Sequence, residues 1–274
     1  TTLGFKGNIG DERLLANTHS LFNVTNTLIW LPFVGVMERI VRKLVSGEET
    51  HIKRGLVYLD ERMLETPGVA MDQVKNELTR MQEIARDMVY EAKEAFLEDK
   101  VENIKGIEHK EDVINEIEEE ILHFLTKIPQ TSLSEEDIAD LDMYFAIIDD
   151  IESIADDANS IAGLAVYKDE NNVVFSKHAR KELQEMFDYI YVLLGKSLDL
   201  LNSEDDETEE YITELLEGEK RMDQLELKYR SEHMKRLNEG QCNPNAGIIF
   251  LEALEDLEHI SDQFADMSQS YLER

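Results

Sequence analysis

Residues 149–162 read DDIESIADDANSIA, and residues 255–268 read EDLEHISDQFADMS. Shifting the second back by 106 positions lays Leu257, Glu258, Ile260, Asp262 and Met267 on Ile151, Glu152, Ile154, Asp156 and Ile161. Apolar and acidic letters coincide together, which is the mark of a duplicated helix. At about 100° per residue, Ile147, Ile151, Ile154, Ala158 and Ile161 form one stripe, as do Leu254, Leu257, Ile260, Phe264 and Met267. Both stripes read as core. The Glu and Asp of each Glu-x-x-x-Asp stand about 40° apart on a helix and away from that stripe, so each pair aims two carboxylates at one external spot.

Around these two segments the pattern is helical almost throughout. From Met71 onward prolines occur only at Pro129 and Pro244, both at breaks between helices. The periodicity predicts helices near 70–99, 105–128, 133–167, 176–202, 205–238 and 245–272, with no strand alternation. Ser134 followed by Asp137 is a capping box with Asp in place of Glu. Acidic first turns at Glu135, Glu136 and Glu204 to Glu207 complement the helix dipole. An offset of 111 lays Glu108 and Asp112 of the second helix on Glu219 and Asp223 of the fifth. The fold class is therefore all-α, with a three-helix unit present twice, at 70–168 and 174–274, behind a linker at 51–69.

The pairs Glu108/Asp112, Glu152/Asp156, Glu219/Asp223 and Glu258/Asp262 are candidate metal ligands, since clustered carboxylates suit hard cations. A solvated acidic face is the alternative. With 60 Asp+Glu in 274 residues, roughly a dozen acid pairs at this spacing arise by chance. Recurrence at matched positions is what sets these four pairs apart.

Charge divides the chain in two. The formal net charge is −32, and residues 1–50 are neutral, with five basic and five acidic residues. The remainder carries the whole excess, which excludes nucleic acid as a partner and attracts cations. From Leu14 to Met37 there are 24 residues without Asp, Glu, Lys or Arg, long enough to cross a bilayer as a helix. His19, Asn23 and Asn26 share one face of that helix, which implies packing against other membrane helices. Pro32 would end or kink it. Arg39, Arg42, Lys43, Lys53 and Arg54 follow, placing residues 51–274 on the cytoplasmic side of the cell (inner) membrane. An amphipathic helix of a soluble domain and a re-entrant segment are the alternatives. The lone Cys242 permits no internal disulfide, consistent with a reducing compartment. Without an initiator Met or a signal peptide, the chain reads as a piece of something longer.

Two resemblances bear on these segments. His19-Ser-Leu-Phe-Asn23 with Leu28-Ile-Trp30-Leu-Pro32 resembles a segment near the end of the membrane part of the sodium/phosphate symporter family. That family's Gln-Ser-Ser transport motifs do not occur in the chain. The two acidic segments quoted above resemble those of the PhoU family, built from two three-helix repeats, and the likeness covers about residues 70–272. In that family such motifs bind metal clusters, reported as iron in some members; manganese, magnesium or zinc are further candidates. The implied ligands are Glu152 with Asp156 and Glu258 with Asp262, then Glu108 with Asp112 and Glu219 with Asp223. Ser153 and His259 stand where the family has Arg. Some bacterial sodium/phosphate symporters carry a PhoU-like domain after their last membrane helix, and residues 58–74 resemble the connecting segment. The combined reading is the C-terminal portion of a sodium-dependent phosphate symporter, partnered by its own upstream membrane helices, with sodium and phosphate handled by the full-length protein and a homodimer allowed. The alternatives are a stand-alone PhoU-type adaptor that binds membrane partners, and a structural bundle without metal.

No enzyme is expected. The one di-iron-like spacing, Glu120-x-x-His123, is single rather than paired, and no Gly-rich phosphate loop, Gly-x-Ser-x-Gly or His-Glu-x-x-His occurs.

Overall fold

Helix follows helix from Pro67 to Glu273 because apolar residues recur at helical spacing, with starts marked by Pro67, Ser134, Ser176 and Asn243. The computed structural model describes residues 21–22, 24–26, 52–128, 133–203 and 205–274. The chain divides into two units, Thr1–Glu48 and Glu49–Arg274. In the first, residues 21–22 and 24–26 are helical and exposed. The expected membrane span at 14–37 otherwise lies outside the described residues, as do His19, Asn23, Pro32, Arg39, Arg42 and Lys43. No helix among the described residues is long and apolar enough to cross a membrane.

The second unit contains α1 (Pro67–Glu98), α2 (Ile104–Thr126), α3 (Glu135–Glu170), α4 (Lys177–Asn202), α5 (Asp205–Asn238) and α6 (Pro244–Glu273), with 3₁₀ turns at Glu61–Glu65 and Val101–Asn103. Ends fall within three residues of those predicted. The largest shifts have plain causes. Proline at the first helical position, where no N–H is needed, starts α1 at Pro67. Helix α3 continues to Glu170, beyond which Asn172 takes the left-handed φ of 52° that asparagine tolerates. The Ser134–Asp137 capping box forms as the sequence predicts.

Helices α1, α2 and α3 pack on one another, as do α4, α5 and α6. The two trios meet where α3 lies on α6 and α1 on α4. The predicted stripes are buried, with Ile147, Ile151, Ile154, Ala158 and Ile161 at 0 % exposure and their counterparts on α6 equally enclosed. They belong to one continuous apolar core running through both trios. Polar links cross the α3–α6 seam: Ser160 donates to Asp256 at 2.9 Å, and His259 meets Asp157 at 2.8 Å.

Residues 52–66, within the 51–69 stretch read as a linker, are docked on the first trio. The fully buried Glu77 carboxylate accepts from the backbone N–H groups of Val57 and Tyr58 at 2.9 and 2.7 Å. Arg80 pairs with Glu77 at 2.6 Å and donates to the carbonyls of Lys53 and Gly55. Glu120 accepts from Leu56 N–H at 3.0 Å. Glu120 of the Glu120-x-x-His123 spacing is thus used in this contact, while His123 is exposed beside the buried Phe124.

Lys168 on α3 closes the end of α1. Its ammonium, nearly buried, donates to the Phe96 carbonyl at 2.7 Å, pairs with Asp99, and lies 5.8 and 5.7 Å from the ring centres of Phe96 and Phe175. Replacing Lys168 by Met keeps the length and leaves that carbonyl unpaired. Lys168→Met should therefore destabilise the chain by about 2 kcal/mol in urea unfolding.

Candidate metal centre

Carboxylates gather where α5 passes α6 and where α2 passes α3. Glu219, Asp223 and Asp262 each offer an oxygen, and the three lie within 4.8 Å of one another. Glu258, one turn before Asp262, joins them. Burial first, then the charges of Asp262, Asp223 and Glu226, push its carboxyl up to about 7. Glu219 and Asp262 are raised as well, by burial and then by Asp223. Glu226 is paired with Arg230.

In the first trio Glu152 is pushed up to about 7 by burial, then by Asp156, Glu118, Asp149 and Glu111. Glu118 is raised by burial, Asp149 and Asp156. Glu108 and Asp112 are both exposed, and the α2 carboxylates acting on Glu152 are Glu111 and Glu118, at the next turns. These stand 108 positions before Glu219 and Glu226, three fewer than the 111 inferred from the acids. The core fixes this register: Ile107, Ile114, Ile117 and Ile121 are buried on α2, as Leu215, Met222, Leu225 and Tyr229 are on α5. Asn115 takes the place of Asp223, with its amide donating to Glu111 at 3.0 Å and its carbonyl oxygen enclosed and unpartnered. The first cluster thus has one charge fewer at that point.

Glu219, Asp223 and Asp262 are thus brought into one cluster on the second trio with Glu258 beside them, whereas on the first trio Glu152 and Asp156 feel the charges of Glu111, Glu118 and Asp149 more loosely, and Glu108 and Asp112 stay exposed. Sequence matching missed Glu111, Glu118, Asp149 and Glu226; superposing the apolar stripes of α2 and α5 would have found three of them. His259, which follows Glu258, turns to Asp157 across the seam. A further group, His178, Glu182 and Glu232, also has ligand atoms within 4.8 Å. There the Glu182 charge is already matched by Arg236, which donates at 2.8 and 2.6 Å.

The donor set is all carboxylate oxygen, partly exposed and mutually repelling. Such crowding fits a hard divalent or trivalent cation, which would relieve the repulsion. Glu219, Asp223, Glu258 and Asp262 would hold it in the second trio, and Glu152 with Asp156, Glu111 and Glu118 in the first.

A duplicated three-helix fold with an acidic cluster on each copy defines a class of tandem helical domains. The profile of the PhoU domain matches residues 78–165 and again 183–270, and the chain belongs to the PhoU domain family. Solved structures agree in fold. PhoU from Pseudomonas aeruginosa superposes with a TM-score of 0.65 at 18 % identity, covering 73 % of this chain and 94 % of that one. The phosphate transport system regulatory protein PhoU from Streptococcus pneumoniae gives 0.67 at 15 % identity, covering 76 % and 95 %. Among curated relatives, the putative inorganic phosphate export protein YjbB of Escherichia coli is 22 % identical over 281 aligned residues, covering 100 % of this chain and 50 % of that protein. The chain spans about half the length of the curated relatives it matches.

The raised carboxyls set a pH dependence. Glu152 and Glu258 move from 4.5 to about 7 on folding, so the protonated form is favoured in the folded state. Their contribution is complete below about pH 4.5 and is lost as pH rises through 7. The melting temperature of the metal-free chain should fall between about pH 5 and 8. Glu152→Gln with Glu258→Gln should flatten that fall, each by about 1 kcal/mol at sites this open to solvent. A melting curve as steep in the double variant as in the parent would remove these groups as its cause.

Proposed function

We propose that the Glu49–Arg274 unit is a metal-binding, PhoU-type regulatory module of phosphate transport, acting by association rather than catalysis. The observation that carries this reading is the convergence of Glu219, Asp223 and Asp262, with Glu258 beside them, at a spot mirrored by Glu152 and Asp156. Bound cations would neutralise these carboxylates and tie α5 to α6 and α2 to α3. Iron, manganese or magnesium suits the oxygen donors better than a thiophilic ion. The module's surface would then change charge with metal occupancy, which alters the membrane or protein surface it can approach.

The first form of the proposal is an adaptor that meets a phosphate transporter at the cytoplasmic face of the membrane, the role that agrees with the PhoU structural relatives. A second form is the C-terminal portion of the transporter itself, such as a sodium-dependent phosphate carrier. It is favoured by one observation: the alignment to the phosphate export protein runs through the whole chain, residues 1–50 included, yet spans only half of that relative. Coding sequence upstream of Thr1 distinguishes the two, since only the second form needs further apolar helices there.

Metal binding is testable on the purified chain. Calorimetric titration with Mn²⁺ and Fe²⁺ should show two classes of site. Asp223→Ala with Asp262→Ala should remove one class, Glu152→Ala with Asp156→Ala the other, and Glu108→Ala with Asp112→Ala neither. In cells, the four-residue loss variant should no longer adjust phosphate flux to external phosphate. Metal content unchanged by both cluster variants would reject the assignment.

A further inference from the structure

At one end of the second trio α4 begins and α5 gives way to α6. A cavity of about 320 Å³ opens there, lined by Phe175, Ser176, His233, Cys242, Asn243 and Phe250 among others. His233 is only 2 % exposed, and neither ring nitrogen has a hydrogen-bond partner. Burial and then the charge of Arg236 lower its pKa, so near neutral pH it presents one N–H donor and one bare acceptor. The ring is stacked on Phe250, with centres 4.8 Å apart. Leaving both nitrogens unsatisfied in an enclosed place is unfavourable unless something else meets them.

The duplication supplies the comparison. By the 108-residue register of α2 and α5, the counterpart of His233 is Leu125, 1 % exposed. By the 106-residue register of α3 and α6, the counterparts of Gly247 and Phe250 are Leu141 and Tyr144, both buried. The first trio closes this end with Leu125, Leu141 and Tyr144. The second replaces one leucine by an imidazole and another by glycine. A Cβ on Gly247 would stand 2.8 Å from His233 Nε2, so the glycine is what lets the ring occupy its place.

Two helix starts also border the cavity. Ser176 and Asn243 are the N-caps of α4 and α6, and their side chains accept from Ala179 and Asn245 N–H at 3.1 and 2.9 Å. Helix α4 still presents further first-turn N–H groups, while in α6 Pro244 has none and Asn245 is capped, leaving Ala246; both contribute the positive end of a helix dipole, a setting that favours an anion. Phe175 and Phe250 supply apolar walls, and the volume lies at the small end of ligand sites.

We propose that this cavity binds a small organic monoanion, a carboxylate on a compact aromatic or aliphatic body, with His233 hydrogen-bonded to it and the helix starts facing its charge. The site is separate from the carboxylate clusters, whose chemistry selects cations. The lone cysteine serves as a reporter rather than a ligand: Cys242 is half-buried and lines the cavity, so occupancy should shield its thiol.

The test uses the whole purified chain and the rate of Cys242 alkylation by iodoacetamide, read by mass spectrometry, with benzoate and phenylacetate as probes and benzamide as the neutral counterpart. Either acid at ten times its dissociation constant should slow alkylation roughly tenfold. Titration of the His233 ring nitrogens by NMR should follow the same curve. His233→Leu, which restores the residue of the first trio, should abolish protection while melting no lower than the parent. Gly247→Ala, which crowds the ring, should weaken protection and provides the reading if His233→Leu does not fold. Absence of protection by both acids at about 10 mM, the weak end of small-ligand affinity, would overturn the site. Equal protection in His233→Leu would overturn the role of the imidazole, and equal protection by benzamide would overturn the anion.

Discussion

The seam between α3 and α6 is the constraint on which the remainder depends. Each of these helices is buried twice, once against its own trio and once against its counterpart, so apolar residues must cover most of its circumference. That is why Ala155, Ala158, Ala162 and Ala165 accompany the isoleucines of α3: small side chains let two long helices approach closely. Apart from the Ser160–Asp256 and Asp157–His259 links across the seam itself, the Glu152/Asp156 and Glu258/Asp262 pairs fall in the sector facing α2 or α5. Carboxylates placed in that sector have nowhere to disperse.

This confinement sets a cost in one place against a function in another. Burial, and then like charges crowded beside the core, raise the carboxyls of Glu152, Glu219, Glu258 and Asp262, a standing penalty of the metal-free fold. The apolar core that runs through both trios is extensive enough to tolerate it. Duplication also leaves room for divergence: one copy has Asn115 where the other has Asp223, and His233 of the second is buried whereas His123 near the same end of the first is exposed.

Helices, caps and the repeat itself were legible because each rests on local chemistry: period 3.6 for the stripes, Ser134 with Asp137 for a start, and proline or asparagine for the ends. Pairing α2 with α5 through their acids was not reliable. Glutamate is so frequent that Glu108 and Glu111 matched Glu219 equally well as letters, and only burial separated them, because Ile107, Ile114 and Ile117 must face inward. The docking of residues 52–66 escaped notice since its decisive group, Glu77, looks in sequence like any other helical acid. The cavity beside His233 was invisible for a related reason. Its signal is what is missing, a leucine side chain at Gly247, and only a structure shows which space that vacates.

The clasp formed by Glu77 and Arg80 has a mechanical meaning. Because the backbone at Val57 and Tyr58 is bonded straight into the middle of the first trio, tension or torsion arriving along the polypeptide would not be lost in slack. It would be delivered to α1 within a few ångströms of its point of entry. The helix that receives it also touches α4, so a pull on one end of the unit has a stiff route into both halves.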